Sequence, residues 1–135
     1  MEVAFKYDQL NPLILILADE KYPGGTLVSN CQEEVLFRRT MLYSYLQKEL
    51  YPLSDDELIL IKNVGIISRD LNDSFIKKIS IIRKIDFVAL PCVRSYTNSN
   101  QTNLKNILKN KLRLLFQVCI KHNYKSIILG VTHLK

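Results

Sequence analysis

Cysteine is scarce in this chain: three residues, Cys31, Cys92 and Cys119, stand far apart, odd in number and without a CxxC pair. That pattern excludes a disulfide framework and a cysteine zinc site, and it favours a reducing compartment. Long hydrophobic runs are missing too. The longest, PLILILA at residues 12–18, falls well short of the roughly 20 apolar residues needed to cross a bilayer. The opening MEVAFKYDQL shows no basic-then-apolar signal pattern. No internal repeat, low-complexity tract or linker divides the sequence. These absences lead to the expectation of a soluble, intracellular (cytoplasmic) protein with no membrane partner. Its 135 residues are expected to form one domain, 1–135. A chain of that size buries roughly two thirds of its unfolded surface and so holds a core without staples.

Acidic residues are absent from the last quarter. Residues 103–135 carry Lys105, Lys109, Lys111, Arg113, Lys121, Lys125 and Lys135 and no Asp or Glu, which concentrates the net charge of +6 there. Two readings stand. A basic end suits an anionic partner such as a nucleic acid or another polyanion. A lysine-rich helix back facing water has the same composition.

Hydrophobic patterning alternates buried strands with amphipathic helices. Residues 13–18 form an unbroken apolar run, bounded by Asn11-Pro12 and Asp19-Glu20, and read as a strand buried on both faces. Residues 21–31 are loop, and residues 32–50 read as a helix that Tyr51-Pro52 ends. Its apolar stripe is Val35, Leu36, Leu42, Tyr43, Leu46 and Leu50. Short strands are expected at 57–62 and 65–68, with a turn near Asn63-Val64, and buried strands at 85–90 and 125–131. A second helix is expected at 104–122, with Leu104, Leu108, Leu112, Leu115, Val118 and Cys119 on its stripe. This alternation specifies an α/β layered fold with a largely parallel or mixed sheet. In such sheets ligands sit beyond the carboxyl ends of the strands. The loops at 19–31 and 92–103 qualify, and a third should follow residues 127–129.

The segment YPGGTLVSNCQEEVLFRRTMLY, residues 22–43, draws the eye. Gly24 and Gly25 can take positive φ and admit a ligand close to the backbone. A glycine loop running into a helix start offers N–H groups and a positive dipole end to phosphate. Asn30 and Glu33 also fit a capping box, and acids suit a first helical turn in any case. Adjacent helical residues point about 100° apart, so Glu33 and Glu34 are expected to do different work. One would accept hydrogen bonds from vicinal hydroxyls. The other, crowded and dehydrated, would hold a raised pKa and donate a proton. A phosphate-bearing ribose whose glycosidic bond is protonated at the leaving oxygen fits both tasks.

The glycine bend, the Gln32-Glu33-Glu34 triplet and the following LFRRTMLY resemble the microbial-type poly(ADP-ribose) glycohydrolase family. Its mark is a glycine triplet, a short loop and Gln-Glu-Glu on a macrodomain-like α/β/α fold. The preceding LILILA, the later IDFVALPCV and LKNILKNKLRLLFQVCIKHNYKSIILG are similar to family segments as well, so the likeness spans most of residues 13–130. The resemblance implies a three-layer α/β/α domain with a mixed, largely parallel sheet. It implies that Gly24 and Gly25 border the diphosphate and distal ribose of ADP-ribose, with Glu33 on the ribose hydroxyls. Glu34 would be the acid for the departing ribose oxygen, and Gln32 would orient the loop or a glutamate. Neither metal nor cofactor is implied. Thr26 replaces the third glycine and would offer its hydroxyl instead of a backbone contact. The loop to Gln32 is shorter than the family's, and Ile16 stands where the family's strand carries Asn. The family's amino-terminal segment, closing phosphate loop and final helix have no counterpart in these residues, which implies a core trimmed at both ends.

Three functions follow. The first is an ADP-ribosyl glycohydrolase-like protein acting on poly(ADP-ribose) or ADP-ribosylated protein. The second is a module of that fold that binds ADP-ribose or a related nucleotide without turnover. The third is a basic interaction protein for nucleic acid or a protein partner. Among other residues, His122 suits a helix C-terminus, where a cation is favoured. Arg38 and Arg39 either reach a phosphate or face water. Tyr96 either stacks on a base or lies on the surface, and Cys31 reads as a small packed residue.

Overall fold

The computed structural model describes residues 8–25, 31–69, 79–92 and 101–130. The apolar run is strand β1, Pro12–Ala18. It lies inside a four-stranded mixed sheet of order β2-β3-β1-β4, in which β2 spans Ile59–Arg69, β3 Ile79–Pro91 and β4 Ser126–Ile128. β1 is parallel to both β3 and β4, while β2 runs antiparallel to β3. The three parallel strands therefore point to one rim, where β1 and β3 end side by side at Ala18 and Pro91, while β4 stops at Ile128, opposite Ile14.

Strand alternation sends successive side chains to opposite faces, and β1 feeds two cores. Ile14, Ile16 and Ala18 join Ile85, Phe87 and Ala89 of β3 on one face, where Leu36, Leu42, Leu46 and Leu53 close over them. Leu13 and Leu15 join Val88 and Leu90 on the other, beneath Leu115 and Cys119. Helix α1, Gln32–Arg39, covers the first face and helix α2, Gln101–Lys121, the second. The architecture is the expected three-layer α/β/α. A strand buried on both sides needs apolar residues at every position, which is why its sequence runs rather than alternates.

Several boundaries differ from the sequence reading. α1 stops at Arg39 instead of residue 50. Thr40 breaks it: the buried hydroxyl donates to the Leu36 carbonyl at 2.8 Å and accepts the Leu42 N–H at 3.2 Å. Its backbone turns extended and bridges to Ile66 of β2. The chain continues through two short 3₁₀ turns, Leu42–Ser44 and Lys48–Leu50. Of the expected stripe, Tyr43 and Leu50 consequently lie exposed.

Asn63 does not divide two strands. It sits at φ 58 in a bulge of one continuous β2, its N–H held by Asp86 Oδ1 at 2.7 Å. β3 is longer than the expected 85–90, and β4 is shorter than 125–131. On α2, Leu115 and Cys119 are buried but Leu108 is half exposed. Lys111 is buried as well, its ammonium 2.9 Å from Asp55 Oδ1. It therefore leaves the basic face, which keeps Lys105, Lys109, Arg113 and Lys121 exposed, with Lys125 just beyond the helix. No described helix is long and apolar enough to cross a membrane.

Candidate functional site

Beyond Ala18 the chain folds into a tight rim loop. Asp19 Oδ1 accepts the N–H groups of Lys21 and Tyr22, at 2.8 and 3.0 Å, which is how Asp shapes a turn. The Gly25 N–H then donates to the Tyr22 carbonyl at 3.2 Å. Pro23 takes the second position of that turn and Gly24, at φ 79, the third, as a type II turn requires. Gly25 follows at φ 65. Both glycines are thus demanded by backbone conformation.

The acidic pair closes against this bend. Glu33 Oε2 accepts the Asp19 N–H at 2.8 Å, and Oε1 accepts the Gly24 N–H at 2.9 Å. A Cβ added to Gly25 would sit 3.8 Å from Glu33 Oε2 and 3.9 Å from Glu34 Oε1. Two successive helical residues thus bring both carboxylates to one glycine. Both are almost completely buried, at 2% and 0% exposure. Burying carboxylates costs several kcal/mol each unless the surroundings compensate, and for Glu33 the Asp19 and Gly24 N–H groups supply part of that compensation. Burial raises the Glu33 carboxyl above its ordinary range; the two backbone N–H groups pull it back, and the charges of Asp19 and Glu34 push it up again.

Gln32 works on the strand. Its Nε2 donates to the Leu15 carbonyl at 3.1 Å, and its Oε1 accepts the Leu17 N–H at 3.3 Å. β4 pairs with β1 as far as Ile14, and the Gln32 amide occupies the next positions along that edge, as a strand residue would.

Gly24, Gly25, Gln32, Glu33 and Glu34 are therefore brought together at the carboxyl end of β1. Thr26 lies outside the described residues, as do Asn30, Tyr96, the polar loop around Tyr96, and His133. Three expectations are corrected. Cys31 takes the N-cap position of α1 without a side-chain cap bond. The N-cap is therefore not Asn30, and the Glu33 carboxylate accepts from Asp19 and Gly24. The glycine N–H groups, offered to phosphate in the sequence reading, are engaged within the chain by Glu33 and by the Tyr22 carbonyl. Cys31 is exposed rather than packed.

Three contributors were not foreseen. Asp19 shapes the loop, and Gly130 lies against the Gln32 amide. Tyr51 reaches the same neighbourhood because the Leu53 N–H donates to the Glu20 carbonyl at 2.8 Å. Its hydroxyl is buried with no hydrogen-bond partner among the described residues. Burial, then the negative charges of Glu33 and Asp19, raise its pKa well above the usual range. The Asp-before-loop pattern was visible in the sequence; nothing local marks the other two.

His122, just past α2, accepts from the Lys62 ammonium through Nδ1 at 3.3 Å. Lys121 and Lys125 are the exposed cations near this helix end. Arg38 and Arg39 are exposed on the last turn of α1, away from its start. Among the described residues no group of three or more His, Cys, Asp or Glu side chains could hold a metal ion.

No family model and no curated protein matches the chain in sequence. Solved structures match it in fold. The poly(ADP-ribose) glycohydrolase of Deinococcus radiodurans, in complex with ADP-ribose, superposes with a TM-score of 0.72 at 22% identity, over 96% of this chain and 58% of that one. The Thermomonospora curvata enzyme gives 0.69 at 18% identity, over 96% and 52% of the two chains. The same enzyme bound to the inhibitor ADP-HPD gives 0.67 at 17%, over 96% and 54%. The chain thus spans a little over half the length of these structures, and its fold is that of the bacterial poly(ADP-ribose) glycohydrolases.

Proposed function

We propose that the rim site binds ADP-ribose and that the chain is an ADP-ribosyl glycohydrolase, cleaving the ribose glycosidic bond of poly(ADP-ribose) or of ADP-ribosylated protein. The observation that carries this reading is the placement of both buried carboxylates against Gly25, on a fold whose solved members were captured with ADP-ribose and ADP-HPD. Each carboxylate oxygen has two lone pairs. Glu33 can therefore keep Asp19 and Gly24 in place and still accept from ribose hydroxyls. Glu34, approaching the same glycine, hands a proton to the departing ribose oxygen as the glycosidic bond breaks, and a water molecule then bonds to the anomeric carbon and gives its proton back to the Glu34 carboxylate. Gly24 and Gly25 contribute the space their missing side chains leave, which lets the diphosphate side of the ligand approach. Thr26 follows them in the chain and supplies a hydroxyl. Gln32 fixes the end of β1 from which the loop departs.

Calorimetry with ADP-ribose, paired with release of ADP-ribose from a modified protein, tests this. Glu34→Gln should bind within a few-fold of wild type and release at least about 100-fold more slowly, the usual contribution of a general acid. Binding without release by the wild type would make the chain a recognition module. No heat at millimolar ligand would overturn the reading.

A second reading rests on α2. Lys105, Lys109 and Arg113 recur at four-residue spacing, so they share one exposed face, free of acids along the whole helix. That face suits a nucleic acid or another polyanion. Binding would weaken with salt, and alanine at all three positions should flatten the dependence by about 2 to 3 log-log units. Unchanged slopes would remove this reading.

A further inference from the structure

We propose that Gly130 is a positioning residue for the rim site: its missing side chain makes room for the Gln32 amide on the edge of β1 and thereby sets where Glu33 and Glu34 stand. The inference rests on the site reading above for its catalytic consequence, but the packing relation stands independently. Gly130 does not have the left-handed backbone of Gly24 and Gly25, so conformation does not require glycine there. Space does. The three atoms nearest a Cβ built on Gly130 all belong to the Gln32 amide group, and all lie inside van der Waals contact.

The end of a flexible side chain would ordinarily move aside. This one is held by the Leu15 carbonyl and the Leu17 N–H, so moving it breaks both bonds and opens the edge of β1 where β4 has ended. It also has somewhere to go, because Gln32 and Gly130 border a cleft of about 350 Å³ shared with Ile14, Val35 and Arg39. The next residue in the helix is Glu33, which holds Asp19, two residues beyond Leu17. Gln32 and Glu33 thus clamp the end of β1 from adjacent positions. A shift in one carries the first turn of α1, and with it Glu34, away from Gly25. Displacements of about 1 Å at a reacting centre can cost two orders of magnitude in rate.

The test combines hydrogen exchange at the Leu17 amide, followed by NMR on the full chain without ligand, with calorimetry on ADP-ribose. Gly130→Ala should speed Leu17 exchange at least tenfold and weaken ADP-ribose binding. Gln32→Ala should do the same. In the double variant, where the overlap no longer exists, the second substitution should add nothing. Unchanged Leu17 exchange in Gly130→Ala, or effects that simply add in the double variant, would overturn the proposal. If exchange behaves as expected but the wild type binds no ADP-ribose, the packing role is upheld and the functional reading is what fails.

Discussion

Glu33 meets two opposing demands. Its oxygens must accept the N–H groups of Asp19 and Gly24, which favours the charged form, yet burial disfavours that charge and outweighs the hydrogen bonds. The sign of the consequence follows from linkage. A carboxyl whose pKa is higher in the folded state than in the unfolded chain binds more protons when folded. Its contribution to stability is therefore greatest below the unfolded value of about 4.5 and declines as pH rises through the folded value. Asp56 and Glu57 shift the other way, held low by Ser54, and lose stability as acid protonates them. Comparison with Glu33→Gln cancels those two. As pH falls from 7 toward 4.5, the wild type should gain thermal stability relative to Glu33→Gln. A melting temperature of wild type minus that of Glu33→Gln that stays constant, or falls toward acid, would contradict the assignment. Tyr51 shares this neighbourhood through the charges of Glu33 and Asp19, so the comparison belongs in wild-type Tyr51 background.

Elements end where side chains offer the backbone a better partner. Thr40 supplies the Leu36 carbonyl with a hydroxyl where a helix would supply an amide, and it receives the Leu42 N–H in return. Thr40→Val preserves shape but leaves both groups buried and unpaired, so it should cost about 2 kcal/mol in denaturant unfolding, while Thr40→Ser should cost less. A valine variant as stable as wild type would mean that the apolar packing beyond it, not the hydroxyl, ends α1. This competition explains what the sequence could and could not disclose. β1 and the start of α1 were readable because their signals are local: an unbroken apolar run, then acids after a polar loop. The end of α1 was not, since the helical spacing continues through Leu42 and Leu46, both of which do reach the core, by way of 3₁₀ turns. Asn63 looked like a turn because the same left-handed residue serves turns and bulges alike. At the site, the meeting of the glycine bend with the glutamates was legible from the motif. The partners of Glu33 were not, because Asp19 and Gly24 lie across a loop that only the fold closes. Tyr51 and Gly130 arrive from distant segments with no pattern of their own.

At the scale of the molecule, β1 separates two cores that share a backbone and little else. Ile66 belongs to the α1 side and Leu115 to the α2 side, with the sheet between them. The Glu33–Glu34 site is mounted on the α1 side and on the carboxyl rim, so the α2 side can change without reaching it through side-chain packing. Truncations in the two cores should therefore behave independently. Ile66→Val should cost about 1 kcal/mol and Leu115→Ala about 3 kcal/mol. The double variant should lose about 4 kcal/mol, since separated sites without shared partners add to within about 0.5 kcal/mol. Chemical denaturation of the three variants measures this directly. A coupling well above that margin would show that the sheet transmits strain between its faces. The basic stripe of α2, on the far face, would then be mechanically connected to the acidic rim rather than merely attached to the same scaffold.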